Sequence, residues 1–147
     1  MRALIQRVSR AEVTVADERI AAIGRGILAL IGVEAADGEA EVARLLERVV
    51  TYRIFPDGAG RMNLSLEDIG GELLLVPQFT LAADTRKGTR PGFSTAAEPA
   101  RARELFDRLV AASQARLGRV AQGRFGADMQ VTLTNDGPVT FWLGTPT

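Results

Sequence analysis

Two short alternating apolar runs, Met129 to Leu133 and Val139 to Leu143, flank the segment Thr134-Asn135-Asp136-Gly137-Pro138, and this Gly-Pro step restricts the fold more than any other feature of the chain. Period-two alternation makes each run a half-buried strand. Asn-Asp-Gly alone is ordinary hairpin chemistry. The following proline removes a ladder N–H and raises the odds of a cis peptide bond from negligible to about a few per cent. Taken by itself, the step closes a tight turn between two strands. In the alternative cis form it points two successive carbonyls the same way, a rigid two-acceptor fork that reads ligand shape without a side chain.

A backbone-built site matters here because the sequence contains neither His nor Cys. That excludes a Ser-His-Asp triad, a Cys-His dyad, a thiolate nucleophile and a zinc site with the usual N/S ligands. An enzyme of this composition runs easy or substrate-assisted chemistry, or chemistry done by backbone groups, and no cofactor is expected. Eighteen basic and eighteen acidic residues cancel, so no global field draws the chain to nucleic acid, DNA included, and any RNA must be held locally. Lys87 is the only lysine.

At 147 residues the chain reads as one domain, 1–147, able to bury roughly 70% of its unfolded surface. Apolar runs of at most about eight residues exclude a membrane-spanning helix, and Met1 to Val8 is too charged for a signal peptide. A cytoplasmic protein is the expectation.

Arg2 to Val8, Ala11 to Val15, Arg19 to Ile23 and Gly26 to Val33 read as strands, with Ala16-Asp17-Glu18 as a hairpin turn. Val42, Leu45, Leu46, Val49 and Val50 recur at helical spacing and predict a helix over Glu39 to Tyr52. Pro56-Asp57-Gly58 is a turn and Asn63 to Ile69 an irregular or short helical segment; Glu72 to Val76 is a strand. A second helix starts near Glu98-Pro99, burying Ala102, Leu105, Phe106, Leu109 and Val110. Strands at 119–122, 129–133 and 139–143 complete the chain. The predicted fold class is α+β, a mainly antiparallel sheet partly rolled toward a barrel and covered by two helices. Its uncovered sheet face needs a cover, for which a homodimer is the simplest source.

Three segments are candidate site material. Pro77-Gln78-Phe79-Thr80-Leu81 follows a buried strand, and its proline ends regular pairing, leaving free N–H groups near Gln78, Phe79 and Thr80. The competing reading is a kinked strand with Phe79 in the core. Gly123-Arg124-Phe125-Gly126-Ala127-Asp128-Met129 is, as a pattern, a bulged turn. The loop Asp84 to Ser94 places Arg86, Lys87 and Arg90 within five positions, a phosphate grip or simply a solvated loop.

Together these segments carry a resemblance. Over nearly its whole length, from Met1-Arg2-Ala3-Leu4-Ile5-Gln6-Arg7-Val8 to Gly137-Pro138-Val139-Thr140, the chain resembles the D-aminoacyl-tRNA deacylases, the D-Tyr-tRNA deacylase family. Met62-Asn63-Leu64-Ser65, Gly70-Gly71-Glu72-Leu73-Leu74, Asp84 to Gly88, Arg90-Pro91 and Gly123 to Met129 support it. Pro77 departs from the pattern, standing where the family commonly has serine.

The resemblance implies hydrolysis of the ester between a D-amino acid and the terminal ribose of tRNA. It implies a homodimer whose Gly137-Pro138 step, in the cis form, reaches into the partner's pocket and rejects L-aminoacyl groups. Catalysis falls to Gln78, Phe79 and Thr80; Met129 lines the pocket and Arg7 braces the Gly-Pro element; Arg86, Lys87 and Arg90 contact tRNA. A cationic strand residue and a core methionine are the plainer readings of Arg7 and Met129. An esterase of other activated aminoacyl esters and a non-catalytic dimeric binder of tRNA ends are the rival functions.

Overall fold

The computed structural model describes residues 1–145. One long strand, β1 (Arg2–Val15), organises the sheet. Its first half pairs antiparallel with β3 (Gly26–Gly32) and its second half with β2 (Glu18–Ile23), while β8 (Gln130–Gly144) follows its other edge. The β1–β2 turn is only Ala16-Asp17, and both residues have positive φ, 47° and 65°. Two positive-φ residues give the turn the twist that a tight hairpin requires.

After β3 the chain passes through α1 (Glu39–Thr51), the short β4 (Phe55–Pro56) and β5 (Met62–Leu64), and α2 (Leu66–Ile69) before entering β6 (Glu72–Pro77). It then crosses through α3 (Pro99–Leu117) to β7 (Ala121–Gln122). Because both returns run through helices, β6 lies parallel to β3 and β7 parallel to β6. The sheet is therefore mixed, where the sequence led us to expect a mainly antiparallel one. Gly26 permits the β3–β6 contact: a Cβ there would lie 1.8 Å from the Glu72 carbonyl oxygen.

Both predicted helical stripes are buried. Val42, Leu45, Leu46, Val49 and Val50 of α1 and Ala102, Leu105, Phe106, Leu109 and Val110 of α3 meet Ala3, Ile5, Ile27 and Leu73 in the main core. Fully burying a side chain such as Leu105 or Phe106 contributes about 1.5–3 kcal/mol. On the opposite face β2 curls against β6 and β7 without pairing to them, so the sheet is nearly closed. That roll holds a second cluster, Val8, Ala11, Val13, Ile23, Leu28, Leu74 and Val76.

The alternating runs around Gly137-Pro138 are not two strands of a hairpin. Both belong to β8, and both pair with β1. Gln6 pairs with Thr140 and Val8 with Asn135, so the four residues Asp136 to Val139 stand opposite Arg7 alone. This bulge exchanges faces. Val131 and Leu133 pack on the second cluster, whereas Val139, Phe141 and Leu143 enter the main core. β1 makes a matching shift between Val8 and Arg10, which is why one strand occupies the span where two short ones were expected. Asn63 to Ile69 likewise resolves into β5 and α2, the latter capped reciprocally by Ser65 and Asp68.

Candidate active cleft

Pro77 still pairs with Ile31, and the Gln78 N–H continues the ladder with a 2.7 Å bond to the Ile31 carbonyl. The chain then turns into a 3₁₀ helix, Phe79–Ala82. The Gln78 N–H is thus occupied, contrary to expectation. Neither the Phe79 nor the Thr80 N–H makes a turn or side-chain hydrogen bond among the described residues. The Gln78 side-chain amide donates to the Thr80 hydroxyl oxygen, fixing both side chains at the strand end.

Phe79 does not enter the core. It is 61% exposed and lies with its ring centroid 5.3 Å from that of Phe93, tilted by 43°; Phe93 is itself 43% exposed. The two rings form one contiguous exposed apolar patch beside the strand end. Gln78, Phe79 and Met129 share a cleft of about 270 Å³ with Phe125 and Val131. Phe79, Phe93 and Phe125 also line an adjoining apolar hollow of about 450 Å³ over the start of α3. Gly123 permits this closeness, since a Cβ there would meet Met129 Sδ at 2.9 Å and Pro77 Cδ at 3.3 Å.

Gly137 and Pro138 form a second, separate group with Arg7. Their shared peptide is cis, and both residues are exposed. Arg7 Nε donates to the Asp136 carbonyl at 2.9 Å and its Nη1 to the Ile54 carbonyl at 2.7 Å. Asn135 closes the other side, its side chain accepting from the Val139 N–H at 2.9 Å and donating to the Thr140 hydroxyl at 2.8 Å. Gly137 has φ of +143°, a conformation that disfavours any side chain. The two groups do not meet in one chain. Arg7 is level with Ile27 and Leu73, five residues before Gln78, so about 16 Å of strand separates them.

The basic loop is only partly free. Asp84 and Gly92 exchange backbone hydrogen bonds of 2.7 and 2.9 Å, and Arg86 folds back on Asp84 through side-chain contacts of 2.9 and 2.8 Å. That guanidinium, with the Arg86 N–H, lowers the Asp84 carboxyl from 3.8 to about 2. Lys87 and Arg90 are exposed and make no ion pair among the described residues. No cluster of three His, Cys, Asp or Glu able to hold a metal occurs among the described residues.

Sequence reading missed Phe93 and Phe125 as cleft residues. The signal was Phe125 within Gly-Arg-Phe-Gly and Phe93 after Arg-Pro-Gly, in segments already singled out for other residues.

The fold and site define an α+β protein with a nearly closed sheet and an aromatic cleft at one strand end, where Gln78, Phe79, Phe125 and Met129 meet. The D-Tyr-tRNA(Tyr) deacylase family matches over residues 4–144. Curated D-aminoacyl-tRNA deacylases from Thioalkalivibrio sulfidiphilus and Methylococcus capsulatus are 64% and 60% identical over 146 residues, covering 99% of this chain and 98% and 95% of theirs. A solved structure described as a c-Myc DNA Unwinding Element Binding Protein superposes with a TM-score of 0.95 at 38% identity, covering all of both chains. A probable eukaryotic D-amino acid tRNA deacylase, at 18% identity and a TM-score of 0.86 over 98% of each chain, shares the fold. The chain belongs to the D-aminoacyl-tRNA deacylase family, a family of hydrolases.

Proposed function

We propose that this enzyme acts as a cytoplasmic homodimer in which the Gly137-Pro138 bulge of one protomer completes the Gln78–Phe79 cleft of the other. It hydrolyses the ester of D-aminoacyl-tRNA and of glycyl-tRNA and refuses L-aminoacyl-tRNA. The observation that carries this reading is the separation of the two groups within one chain: the cleft with catalytic amides lies about 16 Å of strand from the bulge. A second copy supplies the missing wall. The row Leu30, Leu4 and Trp142 across the sheet, with Leu4 and Leu30 half-buried and Trp142 48% exposed, is the apolar face through which the copies would join.

In the cleft, the unpaired Phe79 N–H takes the ester carbonyl and its developing oxyanion, with Gln78 and Thr80 as additional polar groups. One such donor contributes on the order of 3 kcal/mol. A water attacks the carbonyl carbon, the bond to the ribose oxygen breaks, and that oxygen leaves with a proton, giving free amino acid and tRNA. The neighbouring ribose hydroxyl and the substrate ammonium already activate the ester, so positioning does most of the work. Thr80 orients rather than attacks, because its hydroxyl accepts from Gln78 and an internal Thr needs a base to become a nucleophile.

D and L residues exchange hydrogen and side chain at Cα. A wall formed by the Gly137 and Pro138 carbonyls, braced by Arg7 and Asn135, admits hydrogen and rejects a side chain. Glycine passes because it has hydrogen on both sides. Met129 closes the cleft floor, the Phe79–Phe93 pair stacks the terminal base, and Lys87 and Arg90 meet phosphates, joined by Arg86 when it leaves Asp84. The cleft suits a single-stranded end, and balanced charge gives duplex DNA no broad basic surface.

Purified protein incubated in parallel with D-Tyr-tRNA, L-Tyr-tRNA and Gly-tRNA is expected to release the first and third amino acids only. Efficient release of L-Tyr overturns the proposal.

A further inference from the structure

Beyond Phe125 lies a third hollow, of about 300 Å³, between α3 and the segment after β7, and Arg103 and Arg124 both line it. We propose that this hollow binds the phosphodiester immediately upstream of the terminal nucleotide of an RNA 3′ end, with Arg103 and Arg124 as the phosphate ligands. The assignment rests on the deacylase reading and extends its substrate contacts away from the reacting ester.

The ion pairing of α3 singles out Arg103. Arg101 pairs with Glu104, Arg108 with Glu39 and Glu104, and Arg116 with Glu47 and Glu67. Among the described residues Arg103 is the one α3 arginine without a carboxylate partner. Arg124 is also exposed and unpaired among them. Its loop is held in place by two backbone bonds, Gly123 N–H to the Leu75 carbonyl at 2.8 Å and Ala127 N–H to the Arg124 carbonyl at 3.2 Å. Two guanidiniums against the single carboxylate of Asp107 leave the hollow net positive and suited to one bridging phosphate.

Position supplies the rest of the argument. Phe125 lines this hollow, the apolar hollow with Phe79 and Phe93, and the catalytic cleft. A base stacked beside Phe125 therefore has its 5′ phosphate next to Arg103 and Arg124. Lys87 and Arg90 belong to a different loop, so the two basic groups flank the aromatic platform rather than duplicate each other.

The test uses the intact protein and three D-tyrosyl esters, of adenosine, of the dinucleotide CpA, and of tRNA. Wild type should turn over all three, preferring CpA to adenosine. In Arg103→Gln/Arg124→Gln, kcat/KM for the CpA and tRNA esters should fall roughly tenfold or more, mainly through KM, and the salt slope for tRNA should drop by about 1.4, two contacts at ~0.7 each. Adenosine ester hydrolysis should be unchanged. Arg103→Lys/Arg124→Lys should recover most of the salt slope, which lost packing alone does not predict. Equal losses on all three esters, or no loss on CpA and tRNA, overturn the phosphate site while leaving the deacylase reading intact. Failure of wild type on every ester removes the deacylase reading and this assignment with it.

Discussion

Arg7 and Asp136 are 129 positions apart, yet the Arg7 guanidinium donates to the Asp136 main-chain carbonyl at 2.9 Å while its second nitrogen holds the Ile54 carbonyl at 2.7 Å. One planar cation thus ties the β8 bulge to the segment after α1. Only 13% of the Arg7 side chain is exposed; its bond to the Ile54 carbonyl is partly buried, and its bond to the Asp136 carbonyl lies at the surface. Arg7→Met should cost about 1.5–3 kcal/mol in denaturant unfolding and weaken discrimination between D-Tyr-tRNA and L-Tyr-tRNA. Arg7→Lys should rescue little, because an ammonium lacks the fork that spans two carbonyls. Unchanged chirality in a folded Arg7→Met protein counts against the brace.

Trp142 sits on the sheet face opposite the helices, in register with Leu4 and Leu30. Trp142→Glu should leave the fold intact, halve the mass seen by sedimentation, and abolish turnover of D-Tyr-tRNA. A monomeric wild type, or an active monomeric variant, contradicts the shared site.

Removing the Thr80 hydroxyl deletes one neutral hydrogen bond with Gln78, worth about 1 kcal/mol or roughly fivefold in rate. Thr80→Ala should therefore keep substantial kcat in single-turnover assays. Complete loss with normal folding and tRNA binding would make Thr80 the nucleophile after all.

Asp84 occupies Arg86 in the basic loop. Its folded value, about 2, lies below the ordinary 3.8, so the pair is fully formed above about pH 4 and weakens only as pH falls toward 2. tRNA binding should consequently show no transition from this pair between pH 5 and 9. Asp84→Asn keeps an acceptor for the Arg86 N–H but frees the guanidinium; the salt slope of tRNA binding should steepen by about 0.7, read by anisotropy across a salt series.

Ala16 and Asp17 hold positive φ without being glycine or asparagine. Replacing them by Asn-Gly, which favours this turn, should stabilise the protein by about 1 kcal/mol, raising Tm by roughly 2–4 °C with no change in activity. An unchanged or lower Tm would show that the turn carries no such cost.

Much of the fold was legible because its signals are local. The stripes Val42 to Val50 and Ala102 to Val110 have a period that only a helix can bury on one face, and both lie in the main core. The Ser65 cap was less visible, since a four-residue helix leaves almost no periodic pattern. For the candidate site, the sequence singled out the segments at Gln78–Thr80, Gly123–Met129 and Gly137-Pro138. It read Phe79 as core on one account and polar-site material on another, because apolarity alone does not tell a packed ring from an exposed stacking platform. Arg86 was grouped with Lys87 and Arg90 because proximity in sequence does not reveal that Asp84 turns back on one of them.

What residue order determined by itself was chemistry and period: no imidazole, no thiol, balanced charge, two amphipathic helices, alternating strands, and a glycine-proline step. The tertiary structure decided that the runs beside that step form one strand along β1, that β3, β6 and β7 run parallel, and that Gln78 and Met129 share a cleft from which Gly137 is held away. The division is physical: torsional preference and amphipathic period act over a few neighbours. Strand partners, ion pairs and clefts depend on through-space contacts between residues far apart in the chain.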